Sequence, residues 1–207
     1  MAGPDLAELV RPGRAALILQ EVQNGVVGEE AVFADLASAA ASAGVIPRAS
    51  ELAAAARAAG IPVVHATAEN LPGRFGWNRN ARLFGAARKA GAANEPGTAS
   101  VRPVPSVYAE GDIVLPRYHG LSPMADGQLD ALLRNTGITT VVLAGVSLNV
   151  AIPNLAFDAV NRSYQVVIAA DAVAGTPVSY GEEVLKNSLA LVATLTTAGD
   201  LVTAWSG

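Results

Sequence analysis

Residues 138–162 read as a buried strand, a sharp turn and a helix, and the apolar run 164–170 follows at once. A strand, a helix and a second strand in so short a span form a βαβ unit, which commits the chain to a parallel sheet with a crossover helix packed on it. In such sheets ligands bind at the carboxyl ends of the strands. A helix beginning near Asn149 would offer free backbone N–H groups there to an anion or a developing oxyanion. Ala151 stands where that turn would present a nucleophile, and it has no reactive group.

The rest of the chain repeats the alternation. Short apolar runs predict strands at 15–19, 61–66, 112–115, 139–146 and 165–169, with a last short strand at 201–204. Helical patterns cover 30–43, 47–59, 78–89, 126–135, 149–161 and 179–193. Pro47 suits a first helical turn, and Gly60 suits the stop of the helix before it. Residues 67–76 form a Gly/Pro-containing loop. The stretch 91–111 carries three prolines and no periodicity, a connection that shapes a site or an oligomer contact rather than dividing domains. Strand and helix in alternation predict an α/β fold, a three-layer α/β/α sandwich around a mostly parallel sheet, in one domain spanning 1–207.

Composition narrows the function. The net charge is −4 and Lys occurs only at 89 and 186, so no dense basic cluster exists to neutralise nucleic-acid phosphates. The chain has no Cys, which rules out disulfides, thiolate metal sites and thiol nucleophiles together. Its two histidines, His65 and His119, lack a paired zinc spacing, and 25–28 lacks the fingerprint of a dinucleotide loop, so no metal or cofactor is expected. No apolar run approaches the ~20 residues of a membrane span. Residues 1–14 do not form a signal peptide, and a soluble cytoplasmic protein that takes a small-molecule ligand is the expectation.

Three segments carry a resemblance. Gly145-Val-Ser-Leu-Asn-Val-Ala151 resembles the G-V-x-x-N-x-C turn of the isochorismatase-like cysteine hydrolases, and Leu17-Ile-Leu-Gln-Glu-Val-Gln-Asn24 resembles their I-D-x-Q-N strand motif. Gly111-Asp-Ile-Val-Leu-Pro-Arg-Tyr-His-Gly-Leu121 is similar to their G-D-x-V-x-x-K segment. The order and spacing match over nearly the whole chain. The resemblance implies the isochorismatase-like fold and a homo-oligomer. It also sets Glu21, Arg117 and Ala151 at the family's Asp, Lys and Cys positions, so both charges keep their sign and the nucleophile is gone. It implies further that Glu21 lines a site, as base or as acid, and that the peptide between Val146 and Ser147 is cis. The Asp-x-His pattern of the family's metal-binding nicotinamidases is absent.

The residues themselves leave alternatives. Arg117 reads as a substrate anchor, since a guanidinium grips carboxylates in a fork and does not release its proton, or as an exposed arginine after a strand. His119 is an auxiliary donor or acceptor, or a solvated loop histidine; His65, near the end of an apolar strand, is a core histidine bonded to backbone. Ser147 and Asn149 suit turn and cap roles, because no base or nucleophile elbow surrounds the serine. Gln23, Tyr118, Val146, Val150 and Ala151 complete the candidate wall, with Trp77, Asn78 and Arg79 as a covering segment and Arg79 as a second carboxylate clamp. Two functions fit: an atypical hydrolase or lyase of a small, carboxylate-bearing molecule working by acid/base chemistry, or a catalytically silent ligand-binding protein or scaffold.

Overall fold

The computed structural model describes residues 5–125 and 128–206. Six strands form one parallel sheet: β1 (Ala15–Gln20), β2 (Val63–Ala68), β3 (Ile113–Arg117), β4 (Thr140–Val146), β5 (Gln165–Ala174) and β6 (Thr194–Thr196), in the order β3-β2-β1-β4-β5-β6. Successive side chains of a strand point to opposite faces, and both faces here are apolar. Leu17 and Leu19 join Val142 and Ala144 on one side, Ala16 and Ile18 join Val141 and Leu143 on the other, and all of these are buried.

Helices α2 (Ala34–Ser42), α3 (Val45–Ala58) and α8 (Ala198–Trp205) cover the first face. On the second lie α5 (Gln128–Asn135), α6 (Ala151–Asn161) and α7 (Val178–Asn187), giving the expected three-layer sandwich. A short α1 (Leu6–Leu9) packs against the first cluster, and α4 (Arg82–Lys89) follows the loop after β2. Among the described residues, no helix is long and apolar enough to cross a membrane.

The chain runs outward from β1 through β2 to β3, then returns to the other side of β1 as β4. This reversal opens a crevice at the carboxyl ends of β1 and β4, where open α/β sheets place their ligands. Gly145 lets the two strand ends meet. Its φ is +113°, and a Cβ on it would lie 2.1 Å from the Gln20 carbonyl oxygen, closer than any side chain tolerates.

Several boundaries differ from expectation. Residues 201–204, expected as a strand, lie within α8, and the sixth strand precedes them. Thr197 caps that helix by accepting from the Asp200 amide at 3.1 Å, and Leu201 and Trp205, one turn apart, bury on the same side. The Trp205 indole also donates to the Val10 carbonyl at 3.0 Å, an anchor that a four-residue apolar run does not reveal. The helix expected over 179–193 stops at Asn187, followed by a 3-10 turn at Leu189–Leu191. The helix expected from 78 begins at Arg82, and that from 30 begins at Ala34. Of the helix expected over 126–135, positions 126 and 127 lie outside the described residues.

His65 is a core histidine, as expected, at 1% exposure, but its partner is a carboxylate rather than backbone. Its Nε2 lies 2.8 Å from Asp112, which also accepts from Arg57 at 2.7 and 2.8 Å and from the Ala109 amide at 3.1 Å. This clamp ties β2, α3 and the start of β3 together on the far side of β2 and β3 from their carboxyl ends.

Candidate functional site

At the carboxyl ends of the strands lies a cavity of about 500 Å³, and the three sequence segments converge on it: Glu21, Arg117 and Ala151 all line its wall. Glu21 follows directly on β1. Its φ is +53°, a left-handed conformation that costs a non-glycine residue ~1 kcal/mol or more and recurs where side chains must be aimed. The Glu21 Oε1 accepts from Arg117 Nη2 at 2.5 Å and from the side-chain Nε2 of Gln20 at 3.0 Å. Arg117 closes β3, and its Nη1 donates to the Gly120 carbonyl at 2.5 Å. Both terminal nitrogens of the guanidinium are therefore engaged within the chain.

The turn after β4 builds the opposite wall. The peptide between Val146 and Ser147 is cis. The Ser147 carbonyl accepts from the amides of Val150 and Ile152 at 3.2 and 3.0 Å. Asn149 does not cap α6, contrary to expectation. Its side chain is spent on the backbone of Thr176, donating to the carbonyl at 2.6 Å and accepting from the amide at 2.9 Å. That double bond holds the turn to the end of β5, so α6 starts at Ala151 rather than at Asn149. Among the described residues, neither the Asn149 nor the Ala151 N–H donates to a chain acceptor. Both residues line the cavity, so the positive end of α6 is turned toward whatever occupies it.

The remaining expected residues divide. Trp77, Tyr118, His119, Ser147 and Val150 line the same cavity. His119 is exposed at its edge. Asn78 and Arg79 line a neighbouring recess of about 380 Å³, and Arg79 is exposed, so neither stands at the cavity wall. Asn78 still acts on the site, because its side-chain oxygen accepts from the Gly120 amide at 2.7 Å and so steadies the loop that holds Arg117. Gln23 and Val146 are buried behind the wall. Gln23 bridges chain segments, donating to the Ala68 and Ser100 carbonyls at 3.1 Å each and accepting from the Ala68 amide at 2.6 Å.

Other wall residues were not anticipated. Phe33 and Leu36, from the start of α2, and Phe84, from α4, form an apolar side, with Phe84 meeting Trp77 edge to face at 6.1 Å between centroids. Glu69 adds a second carboxylate just past β2. Its amide donates to the Arg117 carbonyl at 3.0 Å and its Oε1 accepts from Thr67 Oγ1 at 2.9 Å. Burial pushes its carboxyl above the usual range, against the opposing effect of the Thr67 hydrogen bond. Burial, and then the negative charge of Glu69, push the Tyr118 phenol up as well. The signal for Glu69 in the sequence was position, a Glu three residues after the apolar run 61–66. Among the described residues there is no group of three or more His, Asp or Glu side chains arranged to hold a metal ion.

The family model described as the isochorismatase domain matches residues 15–200. A ureidoacrylate amidohydrolase, RutB, from Methylorubrum extorquens is 33% identical over 179 residues, covering 78% of this chain and 71% of that protein. An isochorismatase-like hydrolase from Alkaliphilus metalliredigens superposes with a TM-score of 0.73 at 25% identity, covering 93% of this chain and 99% of that one. A cysteine hydrolase from Pseudomonas syringae pv. phaseolicola, at 19% identity, shares the fold with a TM-score of 0.78 over 100% of this chain and 99% of its own. With the matched domain spanning every strand of the sheet and every segment that meets at the cavity, the chain belongs to the isochorismatase family.

Proposed function

We propose that this chain is a hydrolase of a small molecule that works by acid/base chemistry in place of a cysteine nucleophile, with Glu21 as its central group. The observation that carries the reading is the Glu21–Arg117 pair, which places a carboxylate, held by a cation at 2.5 Å, on the wall of the cavity that also contains the α6 N-terminus. A water beside Glu21 would give its proton to the carboxylate while its oxygen bonds to a substrate carbonyl carbon. The developing oxyanion would fall to the N–H groups of Asn149 and Ala151. Collapse of that adduct breaks the carbonyl bond to the leaving group, which takes the proton back. Thiol chemistry is not available, because the chain has no Cys and Ala151 offers only a methyl group.

Arg117 acts in this reading by orienting Glu21. The expectation of a carboxylate-bearing substrate rested on this guanidinium, which gives one N–H to Glu21 and one to the Gly120 carbonyl and whose charge Glu21 offsets. His119, at the cavity edge, is placed to donate or accept a hydrogen bond as the substrate enters. The relatives named for ureidoacrylate make amide and ureido compounds the first substrates to try. The test is incubation of the purified protein with a panel of amide and ureido compounds of differing charge and with a metabolite pool, followed by mass spectrometry, alongside Glu21→Gln. Product that forms with the native chain and falls at least a hundredfold in Glu21→Gln supports the reading. Retention of a ligand with no product in either form favours a binding protein, the second reading, to which the inert Ala151 lends weight.

A further inference from the structure

We propose that the cavity selects a ligand with no anionic group and with an ammonium or N–H-rich end, and that Glu69 is the residue that recognises that end. The inference rests on reading this cavity as the substrate site, and it is carried by the charges on its wall.

Arg117 is the wall's one guanidinium among the described residues, and it is matched at once by Glu21 and the Gly120 carbonyl. Its charge is offset by Glu21, so a ligand carboxylate meets no unmatched cation on this wall. Glu69 has the opposite situation. Its backbone N–H donates to the Arg117 carbonyl, which fixes its place one residue beyond the β2–β3 pairing, and its Oε1 accepts from the Thr67 hydroxyl. Among the described residues no Lys, Arg or His lies within ion-pair distance of it. It is a half-buried carboxylate without a counter-charge on a cavity wall, and Asp35 adds a further negative charge there. A partly desolvated anion favours a cation or a good N–H donor beside it and repels a second anion.

The apolar residues complete the complement. Phe33, Phe84 and Trp77 flank the space and offer apolar surface to a flat or aliphatic body. Burial raises the Glu69 carboxyl from its ordinary value, as a site lacking its counter-ion would show, and a bound ammonium would reverse that shift.

The test uses three probes that share one body: 3-phenylpropylamine, 3-phenylpropionamide and 3-phenylpropionate. Their dissociation constants at pH 7 are measured on the native protein by nuclear magnetic resonance, with the Trp77 indole signal reporting occupancy of the cavity. The amine should bind about tenfold or more tightly than the carboxylate, with the amide between them. In Glu69→Gln the ratio of amine to carboxylate affinity should fall below about threefold. Equal or tighter binding of the carboxylate by the native protein overturns the proposal without need of any variant. So does an amine preference that survives in Glu69→Gln, or binding that leaves the Trp77 signal unmoved. Since only binding is read, loss of the proposed hydrolase activity would leave this result standing, and the two failures are separable.

Discussion

The Asp112 clamp predicts where this fold gives way to acid. The Asp112 side chain is 3% exposed and accepts four hydrogen bonds, from Arg57 twice, from His65 and from the Ala109 amide. Burial alone would raise its carboxyl, but Arg57, then His65 and the Ala109 amide, outweigh it and hold the value down at about 2, against 3.8 for a free side chain. A depression of nearly two units corresponds to about 2.5 kcal/mol of stability at neutral pH. Because the folded value is the lower one, the contribution is complete above pH 3.8 and is lost as pH falls through about 2. Asp112→Asn keeps the shape and one acceptor but removes the charge, so it should cost about 2 to 3 kcal/mol at pH 7.

Urea unfolding followed by fluorescence measures this, with the buried Trp205 as core reporter. The native chain and Asp112→Asn should differ by the full amount at pH 5 and converge as pH approaches 2. His65 adds an earlier window. Burial lowers its value below 6.5 in spite of Asp112, so the unfolded chain takes up that proton first and stability begins to fall below about pH 6.5. A gap between native and Asp112→Asn that stays constant from pH 5 to pH 2 would refute the assignment of the acid-labile stability to this carboxylate.

Gly145→Ala should be among the most damaging single changes available, because the new Cβ meets the Gln20 carbonyl at 2.1 Å; a thermal melt should shift down by about 10 °C or more. Asn149→Ala strips two hydrogen bonds from the Thr176 backbone and should cost about 2 kcal/mol in the same melt, together with weakened ligand binding, since the turn it holds forms the cavity wall. Ala151→Cys places a thiol on the first residue of α6, where the helix N-terminus favours the thiolate. Iodoacetamide should label it several-fold faster at pH 7 than an unfolded-chain cysteine, and slower labelling would show that the helix end does not bear on the cavity.

What the sequence disclosed follows from which interactions leave a local mark. Buried parallel strands leave runs such as 15–19 and 139–146, because both faces must be apolar, and the structure lengthens the first by one residue, to Gln20, and starts the second one residue later, at Thr140. Gly145 and Asn149 stood out as a motif because each has a task that one residue type performs, close backbone approach for the first and a two-sided amide for the second. The strand expected at 201–204 failed for the converse reason: four residues cannot separate a period of 2 from one of 3.6, and the Thr197 cap and the Trp205 anchor lay outside the window. The cavity's chemistry was harder still. Phe33, Leu36 and Phe84 come from helices whose apolar residues all resemble core residues until the fold decides which face a void. Arg117 looked like an open clamp because its second partner, the Gly120 carbonyl, is backbone and carries no residue-type signal. Glu69 was silent because an unpaired carboxylate is identified by the cations that fail to reach it, a property of the assembled wall that belongs to no segment of the chain. The sign of the charge a cavity will accept is thus settled by which of its ionic groups have already been neutralised by the fold, and here the fold neutralises Arg117 and leaves Glu69.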